Sequence, residues 1–202
     1  KRVAEEFAKQ KGIFHDQGAR SITCIESMKT VSFEIAEQLT ALIGPPNANP
    51  NDRPSVPWVS PDWYIQAVSG GMGPIGVHKG FQELKIMGLI DKIPKMGIIQ
   101  TNGCAPMVHA WKQNLDTATP IRVPNTHIET LATGDPGRTY TILRQKMMST
   151  SGGTFESVAD EEAFRAMHYL AKMEGISVEP AAAVAFAGLI KLTREGVIKP
   201  EE

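Results

Sequence analysis

Five consecutive residues, Ser69, Gly70, Gly71, Met72 and Gly73, have the spacing that could do chemistry in this 202-residue chain. Glycines remove Cβ atoms, so neighbouring backbone N–H groups can turn toward one point. The positive end of a helix that follows strengthens the field there. The pattern describes a cradle for a phosphate or carboxylate, with the Ser69 hydroxyl as an added contact. Pro74 brings no N–H, but early in a helix that donor would have no intrahelical partner to lose. A tight strand-to-helix turn with no ligand would use the same residue types. Four small residues in five favour the anion.

Two kinds of ligand compete for the cradle. Gly71, Gly73 and Gly76 form a G-x-G-x-x-G match to the dinucleotide fingerprint, after a strand and before a helix. That motif expects an acidic residue about 20 positions on. The strand there ends Ile98-Ile99-Gln100-Thr101-Asn102, with no carboxylate.

The elements that must hold the cradle alternate between helix and strand. A helix is expected over Val3 to Lys11, closed by Gly12. A short apolar run, Ile22 to Ile25, reads as a strand. Thr30 then caps a helix over Val31 to Leu42 that stops at Gly44-Pro45. Pro45 to Pro61 holds six prolines and reads as a surface excursion. Trp63 to Val68 is a strand apolar enough to be buried on both faces, and it runs straight into the cradle. Further helices are expected over Ile75 to Met87, Met107 to Leu115, Gly137 to Met148, Glu161 to Met173 and Ala181 to Glu195, the last opened by Pro180. Lys95 to Gln100 and Thr154 to Val158 read as strands, and Pro120 to Pro136 as irregular chain. The fold class is α/β: a mostly parallel twisted sheet with helices on both faces. Three segments follow: a helix-strand-helix lead over residues 1–44, a proline-rich insertion over 45–60, and the large domain over 61–202.

Bulk numbers set limits. A formal charge of −1 removes the electrostatic case for nucleic acid. No run reaches the ~18 apolar residues of a membrane span, and the N-terminus lacks the apolar stretch of a signal peptide. Cys24 and Cys104 form neither a disulfide framework nor a metal-ligand spacing. His15, His78, His109, His127 and His168 are scattered, so no metal is expected. A cytoplasmic protein is the expectation.

The stretch from Val68 to Phe81, VSGGMGPIGVHKGF, resembles the phosphate loop and following helix of fold-type II pyridoxal-phosphate enzymes, specifically threonine synthases. Other segments agree in order. Gly12 to Asp16 (GIFHD) and Ile25 to Leu39 (IESMKTVSFEIAEQL) are similar to the part that precedes the loop. Pro61 to Tyr64 (PDWY) leads into the strand, and Glu174 to Ala183 (EGISVEPAAA) resembles the late Glu-Gly-Ile to Glu-Pro segment. The similarity covers nearly the whole chain except Pro45 to Pro57. It implies pyridoxal 5'-phosphate as cofactor, with its phosphate on Ser69, Gly70, Gly71, Met72 and Gly73, and Glu179 near the cofactor face. It also implies a phosphorylated or hydroxy amino acid as substrate, a homodimer, and conversion of O-phospho-homoserine and water to threonine and phosphate. A related amino-acid lyase or dehydratase is the alternative within that class. A non-catalytic anion- or nucleotide-binding domain is the alternative outside it.

The resemblance has gaps. The Ser-x-Lys-Asp-Arg motif carrying the cofactor lysine, the asparagine loop and the final strand are absent. Residue 1 is not Met and opens a helix without a cap, and the chain stops after a helix at Lys199-Pro200. The expectation is a C-terminal portion of a longer chain, inactive and poorly soluble alone. Ser27-Met28-Lys29-Thr30 imitates the lysine motif, but no Asp-Arg follows, and Lys29 reads as a basic residue at a helix start. His78 reads as a helix-face residue, Cys104 as a buried thiol, and Met147 and Met148 as core filler. Arg20, Arg122 and Arg138 read as solvated surface charges.

Overall fold

The computed structural model describes residues 2–15, 21–44 and 56–202. The elements are α1 (Arg2–Lys11), α2 (Ile22–Ile43), β1 (Trp63–Ala67), α3 (Met72–Ile86), β2 (Lys95–Thr101), α4 (Pro106–Lys112), α5 (Thr139–Lys146), β3 (Gly153–Val158), α6 (Asp160–Glu174) and α7 (Pro180–Arg194). A 3-10 turn at Glu129–Leu131 interrupts the irregular segment before α5, and a π turn at Met147–Ser151 closes that helix. Arg20 and residues 45–55 of the expected insertion lie outside the described residues.

The sheet is parallel and its spatial order, β1-β2-β3, is the chain order. Side chains alternate across β2, so its two faces meet different helices. Met96 and Ile98 pack with Ile75, Met107, Tyr140, Leu143 and Phe155 on the face of α3, α4 and α5. Ile99 joins Val158, Ala163, Val184 and Leu192 under α6 and α7 on the other. Gly188 lets α7 approach closely, because a Cβ there would lie 2.5 Å from Ile99 Cγ1. Glu156 joins two of these layers. Burial raises its carboxyl, but hydrogen bonds from Lys112, the Ser157 N–H and Lys191 outweigh that and hold it below the ordinary range.

The expected strand at Ile22 to Ile25 is instead the first turn of α2. Ser21 caps it by accepting from the Cys24 N–H at 3.1 Å, so the helix begins nine residues before Val31. Ile22 is 77 % exposed; its apolar character misled because it faces outward at a helix start. Glycines draw α2 and α3 together: a Cβ on Gly76 would sit 2.5 Å from both the Ile25 carbonyl oxygen and Met28 Cβ. Gly76 therefore packs a helix, which removes it from the phosphate role that the dinucleotide fingerprint would give it. Ala36, Val77, Phe81, Leu84 and Ile90 form the apolar layer between the two helices.

The end of the proline-rich stretch is no free excursion. Val56 and Ser60 are buried, the Trp58 N–H donates to the Leu89 carbonyl at 2.9 Å, and the Val59 N–H donates to Thr40 Oγ1 at 2.7 Å. β1 also departs from expectation. It is half-buried along its length, because it lies at the edge of the described sheet. Among the described residues no helix is long and apolar enough to cross a membrane, and no cluster of His, Cys, Asp or Glu could hold a metal.

Candidate functional site

The cradle sits at the carboxyl edge of the sheet, where parallel α/β folds place their ligands. Pairing of β1 continues one step past its end, with the Val68 N–H donating to Ile99 at 2.8 Å. The chain then turns through Ser69 and Gly70 into Gly71, which has φ +78° and forms the N-cap of α3. α3 thus begins at Met72, three residues earlier than expected, so Met72 and Gly73 belong to its first turn. The N–H groups at that end have no intrahelical acceptor. From Ser69 to Gly73 none has any other acceptor among the described residues. These free donors, with the helix dipole behind them, are the chemistry of an anion site.

The glycines do different work. A Cβ on Gly71 would meet Met107 Cε at 2.8 Å, Thr139 Cγ2 at 3.0 Å and Leu143 Cδ1 at 3.3 Å. On Gly73 it would lie 2.7 Å from Gln66 Nε2, whose side-chain oxygen accepts from the Tyr64 hydroxyl at 2.9 Å. Gly70 differs, with nothing within 4 Å of its would-be Cβ. Gly71 and Gly73 are therefore small because protein lies behind them, and Gly70 faces open space. A phosphate group fits that arrangement: donors on one side and room on the other.

Beneath the cradle, Gln100 is fully buried. Its Oε1 accepts from the Met107 N–H at 3.0 Å and the Val108 N–H at 3.3 Å, which fixes the start of α4. Met107 in turn backs Gly71. Nothing in the sequence pattern singled Gln100 out beyond its place at the end of β2. Gln100→Leu removes an acceptor from two buried N–H groups. The expected cost is about 1–3 kcal/mol of stability in a urea titration, with an unchanged m-value. A change under about half a kcal/mol would mean that water replaces the amide.

The remaining expected residues divide. Ser69 gives its hydroxyl proton to Thr133 Oγ1 at 2.5 Å, a partner 64 residues away that the sequence showed only as part of an irregular segment. Glu179 is exposed at the N-cap of α7 and lines a hollow of about 250 Å³ with His127, Ile128, Glu129, Thr130, Pro180 and Ala181. None of the residues Ser69 to Gly73 lines that hollow. Lys29 is inside α2, not at a helix start. Glu26 at 2.6 Å and Glu83 at 2.8 Å hold its ammonium and raise its pKa, which favours the charged form. Cys104 is buried, as expected, and burial raises its thiol. His78 is not on an open helix face; it is fully buried against Thr150.

The chain is similar to known proteins over most of its length. A family model described as pyridoxal-phosphate dependent enzyme matches residues 1–202. The chain is 38% identical over 178 residues to the threonine synthase of Methanosarcina acetivorans, which covers 88% of this chain and 39% of that protein. It is 27% identical to the cysteate synthase of Methanospirillum hungatei, over 95% of this chain and 43% of that one. The chain thus spans less than half the length of these relatives. Among solved structures, the processed form of threonine deaminase isoform 2 from Solanum lycopersicum superposes with a TM-score of 0.66 at 17% identity, over 96% of this chain and 45% of that one.

Proposed function

This chain belongs to the pyridoxal-phosphate dependent enzyme family, and from that premise we propose that it is part of a threonine synthase that holds the cofactor phosphate on Ser69 to Gly73. The observation that carries the reading is the row of unbonded N–H groups from Ser69 to Gly73, beside the open space at Gly70. When bound, pyridoxal phosphate supplies an electron sink for the carbon skeleton of an amino acid.

This chain's own residues bind and orient. The N–H groups of Gly71, Met72 and Gly73 donate to the negatively charged oxygens of the phosphate ester. The left-handed turn at Gly71 leads the chain into α3, and Met107, Thr139 and Leu143 fill the space behind it and exclude water there. Fixing one end of a cofactor in this way fixes the approach of the substrate at the other. The reaction proposed for the complete protein takes O-phospho-homoserine and water to threonine and phosphate. The similarity to a threonine synthase at 38% identity favours it over the more distant cysteate synthase. A homodimer is part of the same proposal.

The natural protein, incubated with pyridoxal phosphate and O-phospho-homoserine, is expected to release phosphate and form threonine in equal amounts. Absence of phosphate release, with deamination of a free hydroxy amino acid instead, would replace the synthase reading by that of a dehydratase. Failure to bind pyridoxal phosphate at all would leave an anion-binding domain without this chemistry.

A further inference from the structure

The hydroxyls of Ser69 and Thr133 are 2.5 Å apart, with Ser69 donating. Two hydroxyls carry two protons, and the bond between them consumes one. Thr133 Oγ1 has no other hydrogen-bond partner among the described residues, so its own proton is uncommitted. A phosphate group offers only acceptors, so a site for it is improved by each free donor that reaches it. The bond that Thr133 accepts also polarises its O–H and makes it a stronger donor. Its β-branched side chain has few rotamers to lose, which suits a fixed contact.

The chain that follows Thr133 is anchored twice. The Ile121 N–H donates to the Gly134 carbonyl at 2.9 Å, and a Cβ on Gly71 would touch Thr139, at the start of α5. Thr133 is thus held beside the first turn of α3 by its own contact with Ser69 and by the packing of Thr139, six residues on, against Gly71.

We propose that Thr133 is a binding residue of the cradle, donating its hydroxyl proton to the same phosphate group that the N–H groups of Ser69 to Gly73 hold. The inference rests on the cofactor reading above. It adds to the glycine loop a contact from the segment between β2 and β3, so that two stretches of chain close on one anion.

The test is an equilibrium titration of pyridoxal phosphate into the full chain, with inorganic phosphate as competitor, for the parent protein, Thr133→Val and Thr133→Ser. Pyridoxal, which lacks the phosphate, serves as the second probe, and thermal melts check that each variant folds. Thr133→Val is expected to weaken pyridoxal phosphate about tenfold, the loss of one hydrogen bond to a charged group. It should leave pyridoxal unchanged, and Thr133→Ser should restore the parent affinity. Pyridoxal phosphate affinity within about twofold of the parent in a folded Thr133→Val would overturn the inference while leaving the cofactor reading intact. So would equal losses for pyridoxal, because the residue would then act by packing. If the parent binds neither pyridoxal phosphate nor phosphate, both readings fall together.

Discussion

Gly71→Val should abolish retention of pyridoxal phosphate, with affinity falling about 100-fold or more. Gly71 has φ +78°, a conformation that costs a residue with a side chain roughly 1–2 kcal/mol and a β-branched one most. The side chain also crowds the wall behind the loop, since the first added carbon lies 2.8 Å from Met107 Cε, 3.0 Å from Thr139 Cγ2 and 3.3 Å from Leu143 Cδ1. The backbone must therefore turn, and it takes the N–H groups of Gly71, Met72 and Gly73 with it. Losing two charge-assisted hydrogen bonds at about 1.5–3 kcal/mol each accounts for the fold-change. Gly70→Ala is the matched control. Its methyl enters open space, so the melting temperature should hold while the anion is displaced sterically. A Gly71→Val protein that keeps the cofactor within about tenfold would place the phosphate elsewhere.

The second large effect is a loss of stability in mild acid that depends on His78. Thr150 Oγ1 gives its proton to the Lys146 carbonyl at 2.7 Å, so it must accept from His78 Nε2 at 2.8 Å. Nε2 therefore carries a proton, and in the neutral ring the bare nitrogen is Nδ1, buried without a hydrogen bond of ordinary geometry among the described residues. Protonating Nδ1 would place a charge in a closed space, near the Lys146 ammonium. Burial first, and then that ammonium, outweigh a smaller opposing contribution from the Gln82 side chain and push the His78 pKa down to about 4 from 6.5. The unfolded chain takes up this proton as pH falls through 6.5, whereas the folded chain refuses it until about 4. Stability is thus fully present above 6.5 and is lost across that window, by roughly 3 kcal/mol at most. Denaturant titrations of the parent and His78→Gln at several pH values would isolate the effect. The carboxylates held low by lysines, Glu26 and Glu156, lose their contributions at the acid end in both proteins. Parallel curves for the two between pH 6.5 and 4 would refute the assignment.

Much of the fold was legible because its signals are local. Trp63 to Val68, Lys95 to Gln100 and Thr154 to Val158 show as short apolar runs, and glycine stops at Gly44, Gly88 and Gly175 end helices where expected. The start of α2 was missed because Ile22 and Ile25 imitate a strand, and the Ser21 cap is weaker as a pattern than four clustered residues. The burial of β1 was overstated because its composition cannot say whether a neighbour stands on one side or two. Within the site, the glycine loop was visible because it is contiguous. Gln100 and Thr133 were not, because their roles depend on contacts with chain far away in sequence: Thr133 with Ser69, and Gln100, through Met107, with Gly71. His78 misled because helix periodicity does not tell which face the rest of the chain will cover.

Strand order identical to chain order has a consequence for how the molecule assembles during synthesis. β2 can pair with β1 as soon as it emerges, and β3 with β2, each closing only the one crossover between them. The helices that intervene, α3 to α5, arrive in time to cover one face. The other face, with Ile99 and Val158, waits for α6 and then for α7, which packs on all three strands and begins only at Pro180. A ribosome-bound chain therefore passes through a stage in which these three strands are paired and show one bare apolar side. Over that interval of translation a chaperone has the most to protect.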